Sequence, residues 1–345
     1  MKRFVVVLVS IVVLSSFLTS WDKTVFTIEL KNGGEFGMNE VYWGDKLERY
    51  SADIVAPVCE EGICYNVNVI FNWNLIGEFI NYQTQPYNPL TKLDHKPFTL
   101  ADYAKLQSIL TNHDLVFTGM SADKLVTKTR DNNVDAYSGA TVEAIKGEVI
   151  EGALFTCHTL WHVANGAVVD SIRNHTKSRL DKRLIEKIIG YNSASAHYYL
   201  INNLSEAQFA GNLTEVLALV KNGKGYLLKN TIEKIPEKLF DTQMLQGFLI
   251  KNYDSLSYYT QVAVLNKLQN STIKPELSAA LLTQISDRNS AQNQKIITLV
   301  IKNKDADATQ KLLNYLIKQK IKISEMNYRL LEEMKVNQLR LLEKI

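Results

Sequence analysis

The ten residues from Tyr65 to Asn74 constrain the fold more than any other stretch of this chain. Tyr65, Val67, Val69, Phe71 and Trp73 take the odd positions, and Asn66, Asn68, Asn72 and Asn74 the even ones, with only Ile70 out of pattern. Side chains alternate between the two faces of a strand, so this run predicts a sheet packed on one side and wet on the other. Gly77 is expected to end the strand, and Glu78 to Tyr82 to pair back against it. Upstream, Val25, Ile28 and Leu30 lie among polar residues ahead of the turn signal Asn32-Gly33-Gly34. From Trp21 to about Leu125 the chain reads as rich in strands and turns.

Helical spacing takes over further on. Pro86, Pro89 and Pro97 mark a loop, after which Thr99-Leu100-Ala101-Asp102 has the spacing of a capping box, with Asp in place of Glu or Gln. It predicts a short helix to about Leu110 with Leu100, Tyr103, Leu106 and Leu110 on its apolar face. Val142, Ile145, Val149, Ala153, Leu160 and Val163 predict a second helix from near Thr141 to about Ala164. Between Ala153 and Ala167 nearly the whole circumference is apolar, so this helix is expected to be buried. Beyond Leu180, amphipathic segments alternate with polar connectors such as Asn270-Ser271-Thr272. Helix pairs beginning near Asp254 and Ser290 are about 36 residues apart, in the range of helical solenoid repeats. The expected fold class is an α+β domain over 21–180 followed by an all-α, HEAT-like solenoid over 185–345. The alternative for the second part is an irregular helical bundle. The segment from Glu325 to Ile345 reads as a capping helix that can also engage a partner.

The N-terminus reads as an export signal over residues 1–20. Lys2 and Arg3 precede an apolar run from Phe4 to Leu18 that is broken only by serines and is short for a membrane span. An uncleaved N-terminal anchor is the alternative, since Leu18-Thr19-Ser20 makes a poor cleavage site. Both readings place the rest of the chain outside the cytoplasm, in the periplasm or at the cell surface. The 345 residues carry 39 Lys and Arg against 36 Asp and Glu. A total so near neutral argues against a nucleic-acid surface. Of three cysteines, Cys59 and Cys64 flank the turn expected at Glu60-Glu61-Gly62-Ile63 and read as a disulfide in an oxidising compartment. Half of a metal site is the weaker reading, because no second Cys/His pair at ligand spacing follows. Cys157, in the apolar helix, reads as a buried thiol rather than a nucleophile.

The chemistry is concentrated in Asp135-Ala136-Tyr137-Ser138-Gly139-Ala140-Thr141. Gly139 and Ala140 leave the backbone open to close approach. Thr141 is expected at a helix start, where free N–H groups and the macrodipole favour an anion by about 0.3–1 kcal/mol. Tyr137 is near enough in sequence to stack on a ring system. A plain helix N-terminus capped by Ser138 would explain Ser138 and Gly139 alone.

This run resembles the D-x-x-[ST]-G-A-T signature of the FMN-binding domain family, which includes flavoprotein subunits of the sodium-pumping NADH:quinone reductase. The resemblance implies that a magnesium-dependent flavin transferase attaches FMN by a phosphoester to Thr141. Asp135, Ser138, Gly139 and Ala140 would then form the recognition loop. The longer family pattern continues with a further Thr and Ser, whereas Val142-Glu143-Ala144 follows here. A looser likeness to exported FMN-binding-domain proteins extends over about residues 55–170, through Asp94-His95-Lys96-Pro97-Phe98 and Thr159-Leu160-Trp161-His162.

His158 and His162 lie four apart on one helical face, a spacing that suits a metal or a haem. No Glu completes a zinc-protease motif and no C-x-x-C-H occurs, so two satisfied core histidines are the favoured reading and no metal is expected. A place for His162 or Trp161 beside the flavin is the other option. The role expected from all this is extracytoplasmic electron transfer with an unidentified redox partner at the membrane or cell surface, rather than stand-alone enzyme activity. The alternative is a non-redox interaction scaffold in which the helical repeat does the work and the N-terminal domain holds no flavin.

Overall fold

The structure is a computed structural model that describes residues 24–333 apart from 30–33, 59–65, 86, 131–136, 142, 224, 286–288 and 304–305. Of residues 127–130, 137–141, 143 and 144 only the backbone is described. The chain divides into two compact units between Ser178 and Arg179.

The first unit is built on an antiparallel five-stranded sheet in sequence order: β1 (Phe26–Glu29), β2 (Glu35–Trp43), β3 (Lys46–Pro57), β4 (Asn66–Trp73) and β5 (Phe79–Thr84). The expected strand is β4, and Val67, Val69, Phe71 and Trp73 are its buried positions. Register carries that face across the sheet, since Tyr50, Ala52 and Ile54 of β3 pair with Trp73, Phe71 and Val69. Asn72, on the opposite face, is also buried. It accepts a hydrogen bond from Arg49 Nε (3.0 Å) and donates one to Asn81 Oδ1 (2.8 Å).

The remaining elements of this unit are α1 (Leu100–Thr111), β6 (Val126–Arg130), β7 (Tyr137–Thr141), α2 (Glu143–Lys146), α3 (Leu154–Asn165) and α4 (Ala167–Ser178). The capping box at Thr99 and Asp102 is present. Lys92, at 2.8 Å, and the Thr99 backbone hold the Asp102 carboxyl down to about 2. One face residue is corrected: Leu100 is 89% exposed, and Ile109 joins Leu106 and Leu110 in the core instead. The helix expected from Thr141 to Ala164 is also corrected. Thr141 ends a strand, α2 is a single turn, and α3 starts only at Leu154. Between them Gly152 sits at φ +75°, a left-handed conformation that a helix interior does not accept. The burial expected between Ala153 and Ala167 holds for most of α3, where Phe155, Thr159, His162 and Asn165 are half-buried and the other residues buried.

Helices α3 and α4 pack on the apolar face of the sheet. Trp73 Nε1–H donates to the Ala164 carbonyl at 2.8 Å, and the Tyr50 and Thr176 hydroxyls bond at 2.9 Å. Gly166 links the two helices, where a Cβ would collide with the His162 carbonyl oxygen.

The second unit is all-α among its described residues: α5 (Lys182–Ile189), α6 (Ala194–Asn203), α7 (Glu206–Gly211), α8 (Leu213–Asn222), α9 (Tyr226–Lys234), α10 (Gln243–Asn252), α11 (Tyr258–Leu268), α12 (Pro275–Leu282), α13 (Ser290–Lys302), α14 (Ala306–Gln319) and α15 (Glu325–Glu333). From α8 onward each helix packs on the next but one, so that α8, α10, α12 and α14 make one row and α9, α11, α13 and α15 the other. The helices α9, α11 and α13 begin at residues 226, 258 and 290, a step of 32 each time.

Side-chain amides clamp successive repeats together. Gln246 donates to the Thr272 carbonyl and accepts from Lys274 N–H, at 2.9 and 2.8 Å. Gln294 does the same to the Lys322 carbonyl and Ser324 N–H, at 3.1 and 2.8 Å. Gln292 bonds both Tyr253 Oη and Gln261 Oε1, and burial pushes the Tyr253 phenol up to about 12, keeping it neutral.

Gly77 sets the β4–β5 turn at φ +79°, and a Cβ there would lie 2.9 Å from the Val169 carbonyl oxygen of α4. Gly44 has φ +61° with nothing near it. Gly77→Ala should therefore destabilise the first unit by at least about 2 kcal/mol, and Gly44→Ala by about 1 kcal/mol. All four tryptophans of the chain fall before residue 179, so urea unfolding followed by tryptophan fluorescence reads this unit alone. Equal losses in the two variants would contradict the contact with α4.

Candidate functional site

Most of the signature lies in a two-stranded ribbon. Tyr137–Thr141 forms β7, antiparallel to β6, with Tyr137 opposite Arg130, Gly139 opposite Lys128 and Thr141 opposite Val126. Among the described residues no strand lies along the other edge of β7. Alternate residues of a strand share a face, so Tyr137, Gly139 and Thr141 fall on one face and Ser138 and Ala140 on the other.

A two-stranded ribbon is marginal by itself and needs anchoring. Here the anchors are at its root. Leu125, just before β6, and Ile145, in α2 after β7, are both fully buried. Thr141, paired with Val126, is the signature residue nearest that root, and Tyr137 is farther out. Asp135 lies outside the described residues.

This geometry changes two expectations. Ser138 to Thr141 is a paired strand rather than a capped helix start, with one edge of its backbone engaged by β6. The anion-favouring field expected at Thr141 is also absent in the form proposed. A macrodipole needs several aligned turns, and α2 has only four residues.

The histidine pair is a structural clasp. His158 and His162 both direct Nε2 at the Met120 carbonyl, at 2.8 and 3.3 Å, with ring centroids 4.4 Å apart. A carbonyl only accepts, so each Nε2 carries a proton and donates. Phe117 sits edge-on to His158 at 5.3 Å, and Trp161 Nε1–H donates to the Asn112 carbonyl at 2.8 Å. These bonds tie the 112–120 segment to α3, as the core-histidine reading expected. Among the described residues no His, Cys, Asp and Glu group could hold a metal ion. Cys157 is buried, and that burial pushes its thiol up to about 11. Cys59, Cys64 and residues 1–20, expected to be an export signal, lie outside the described residues. No described helix is long and apolar enough to cross a membrane.

One buried polar cluster had no signal in the sequence. Glu40, only 5% exposed, accepts from His175 Nε2 at 2.8 Å and from the Tyr42 hydroxyl at 2.6 Å. Phe26 and Tyr50 lie against the His175 ring, at 5.3 and 5.9 Å between centroids. Glu40 and His175 stand 135 residues apart in the chain, so only the packing of α4 on β2 and β3 brings them together. Both carboxylate oxygens are engaged within the fold, which suits a structural tie.

Comparison with protein-family models, curated proteins and solved structures finds no match to this chain.

His158→Ala should cost about 1–3 kcal/mol, because it strips a donor from a half-buried carbonyl. Added zinc should leave the unfolding midpoint of the parent unchanged. A zinc-dependent rise in that midpoint would show the pair to be ligands. Cys157 should resist iodoacetamide at pH 8 in the native protein and react once urea unfolds it, as peptide mapping would show. Rapid labelling of the native protein at Cys157 would contradict its burial.

Proposed function

We propose that this chain is an exported flavoprotein that carries FMN on Thr141 and passes electrons outside the cytoplasm. The observation that carries the reading is the run from Asp135 to Thr141, in which every fixed position of the D-x-x-[ST]-G-A-T signature is present. On this reading residues 21–180 form an FMN-binding-like domain, and the helices after it form a HEAT-like stack that docks a partner.

The backbone of the ribbon supports attachment in a specific way. The edge of β7 that faces away from β6 offers an extended segment to an incoming chain, as strand addition requires. Gly139 and Ala140 lie next to Thr141 on that segment, so a transferase can approach the backbone closely. Thr141 lies where the ribbon is rooted by Leu125 and Ile145, so a group attached there is held close to the unit's core. When bound, the flavin supplies one- and two-electron redox chemistry, and the chain supplies its placement. His158 and His162 already serve Met120, so their part is to hold the 112–120 segment in place.

A second reading, a scaffold without flavin, is favoured by the regularity of the two helical rows and their amide clamps. Mass spectrometry of the exported chain, co-produced with a magnesium-dependent flavin transferase, separates the two. The expected result is an added mass of one FMN less water that disappears in Thr141→Ala and persists in Ser138→Ala. An unmodified chain under those conditions would sink the flavin reading and leave the scaffold.

A further inference from the structure

Counted by unit, the charge of this chain is unevenly divided. Residues 1–178 carry 15 Lys and Arg against 20 Asp and Glu, while residues 179–345 carry 24 against 16, so the net +3 separates into −5 and +8. Near neutrality of the whole conceals a basic helical unit.

The two-row stack gives part of that charge an edge. The N-terminal ends of α9, α11, α13 and α15 share one side of the stack. Hydrogen bonds that Gln292 Nε2 donates to Tyr253 Oη and Gln261 Oε1, and those by which Gln294 donates to the Lys322 carbonyl and accepts from Ser324 N–H, make the later part of this side continuous. Tyr226 and Tyr258 are the first residues of α9 and α11, one repeat apart, and Tyr259 follows. They are 73%, 44% and 66% exposed. Lys221 and Lys251, in the last turns of α8 and α10, and Lys322, before α15, are exposed on the same side. Lys229 Nζ stands 5.7 Å from the Tyr226 ring centroid, so that ring already receives a cation. Among the described residues two acids interrupt the edge: exposed Asp254, and Glu325, which is engaged by Arg329 at 2.7 Å.

We propose that this edge binds an extended acidic segment of a partner protein in the polyproline II conformation. The argument is one of spacing and charge. Packed helices lie about 8–10 Å apart, so each repeat advances the edge by about that distance. A polyproline II chain advances about 9.3 Å per three-residue turn, so acids three residues apart meet Lys221 and Lys251 on adjacent repeats, and an acid about six residues further on meets Lys322 two repeats along. The exposed tyrosines suit the prolines between, which dock on aromatic surfaces with little loss of entropy. The described cations of the edge are lysines, and Arg329 is committed to Glu325. A nucleic acid carries a charge on every nucleotide, which Asp254 and Glu325 on this edge would repel, so a protein segment with spaced carboxylates fits better. This inference stands apart from the flavin, and Thr141→Ala is expected to bind as the parent does.

The experiment is fluorescence anisotropy with the full chain and a labelled peptide of about five Glu-Pro-Pro repeats. Saturable binding is expected at low salt, weakening as ionic strength rises from about 0.05 to about 0.3 M. Tyr226→Ala with Tyr259→Ala, and Lys251→Glu alone, should each weaken it about tenfold without changing the thermal midpoint. Lys238→Glu makes the same charge change on the opposite side of the stack and should leave affinity intact. Equal loss with Lys238→Glu would reduce the effect to a diffuse field and overturn the proposal. So would absence of saturable binding, or tighter binding of oligothymidylate or phosphatidylglycerol vesicles than of the acidic peptide.

Discussion

The buried indole of Trp73 is the contact on which the first unit depends. It stacks on Phe36 with ring planes 3° apart, and meets Phe71 and Phe79 edge-on. A buried tryptophan must also find an acceptor for its N–H. That acceptor is the Ala164 carbonyl, in the last turn of α3. The bond fixes where α3 ends against the sheet, and Gly166 then turns the chain into α4. From there Thr176 and His175 reach back to Tyr50 and Glu40 on the same sheet face. One side-chain hydrogen bond thus determines the seating of two helices, and through α3 the place of the 112–120 segment that its histidines hold.

Much of this was legible in the sequence where the signal was local. The alternation in β4 is a direct imprint of pleated backbone on composition, and the Thr99–Asp102 box records two reciprocal hydrogen bonds three residues apart. Leu100 was misplaced because the first turn of a capped helix stands clear of the core it leads toward, although its spacing matches the apolar face. Apolar spacing also joined Val142 to Val163 into one helix. That spacing does not register Gly152, whose left-handed backbone separates α2 from α3.

The candidate site was legible as chemistry and not as shape. Tyr137 to Thr141 contains small residues with no hydrophobic alternation, so nothing local marks it as a strand. Its conformation comes from pairing with Val126–Arg130, an interaction written in neither segment alone. The Glu40–His175 tie was illegible for the same reason in stronger form. The charge of the helical unit was present in the sequence throughout, but it becomes visible only once the boundary at Ser178 divides the count.

The amide clamps of the helical unit have a consequence for its geometry. Apolar ridges between helices tolerate sliding, because one leucine substitutes for another along a groove. A glutamine that both donates to and accepts from a single connecting segment does not, since a shift of one residue breaks both bonds. Gln246 and Gln294 therefore lock the phase of successive repeats, where leucine contacts alone would fix only their proximity. The stack behaves as a ruler with fixed graduations, and anything laid along it is measured against a constant pitch.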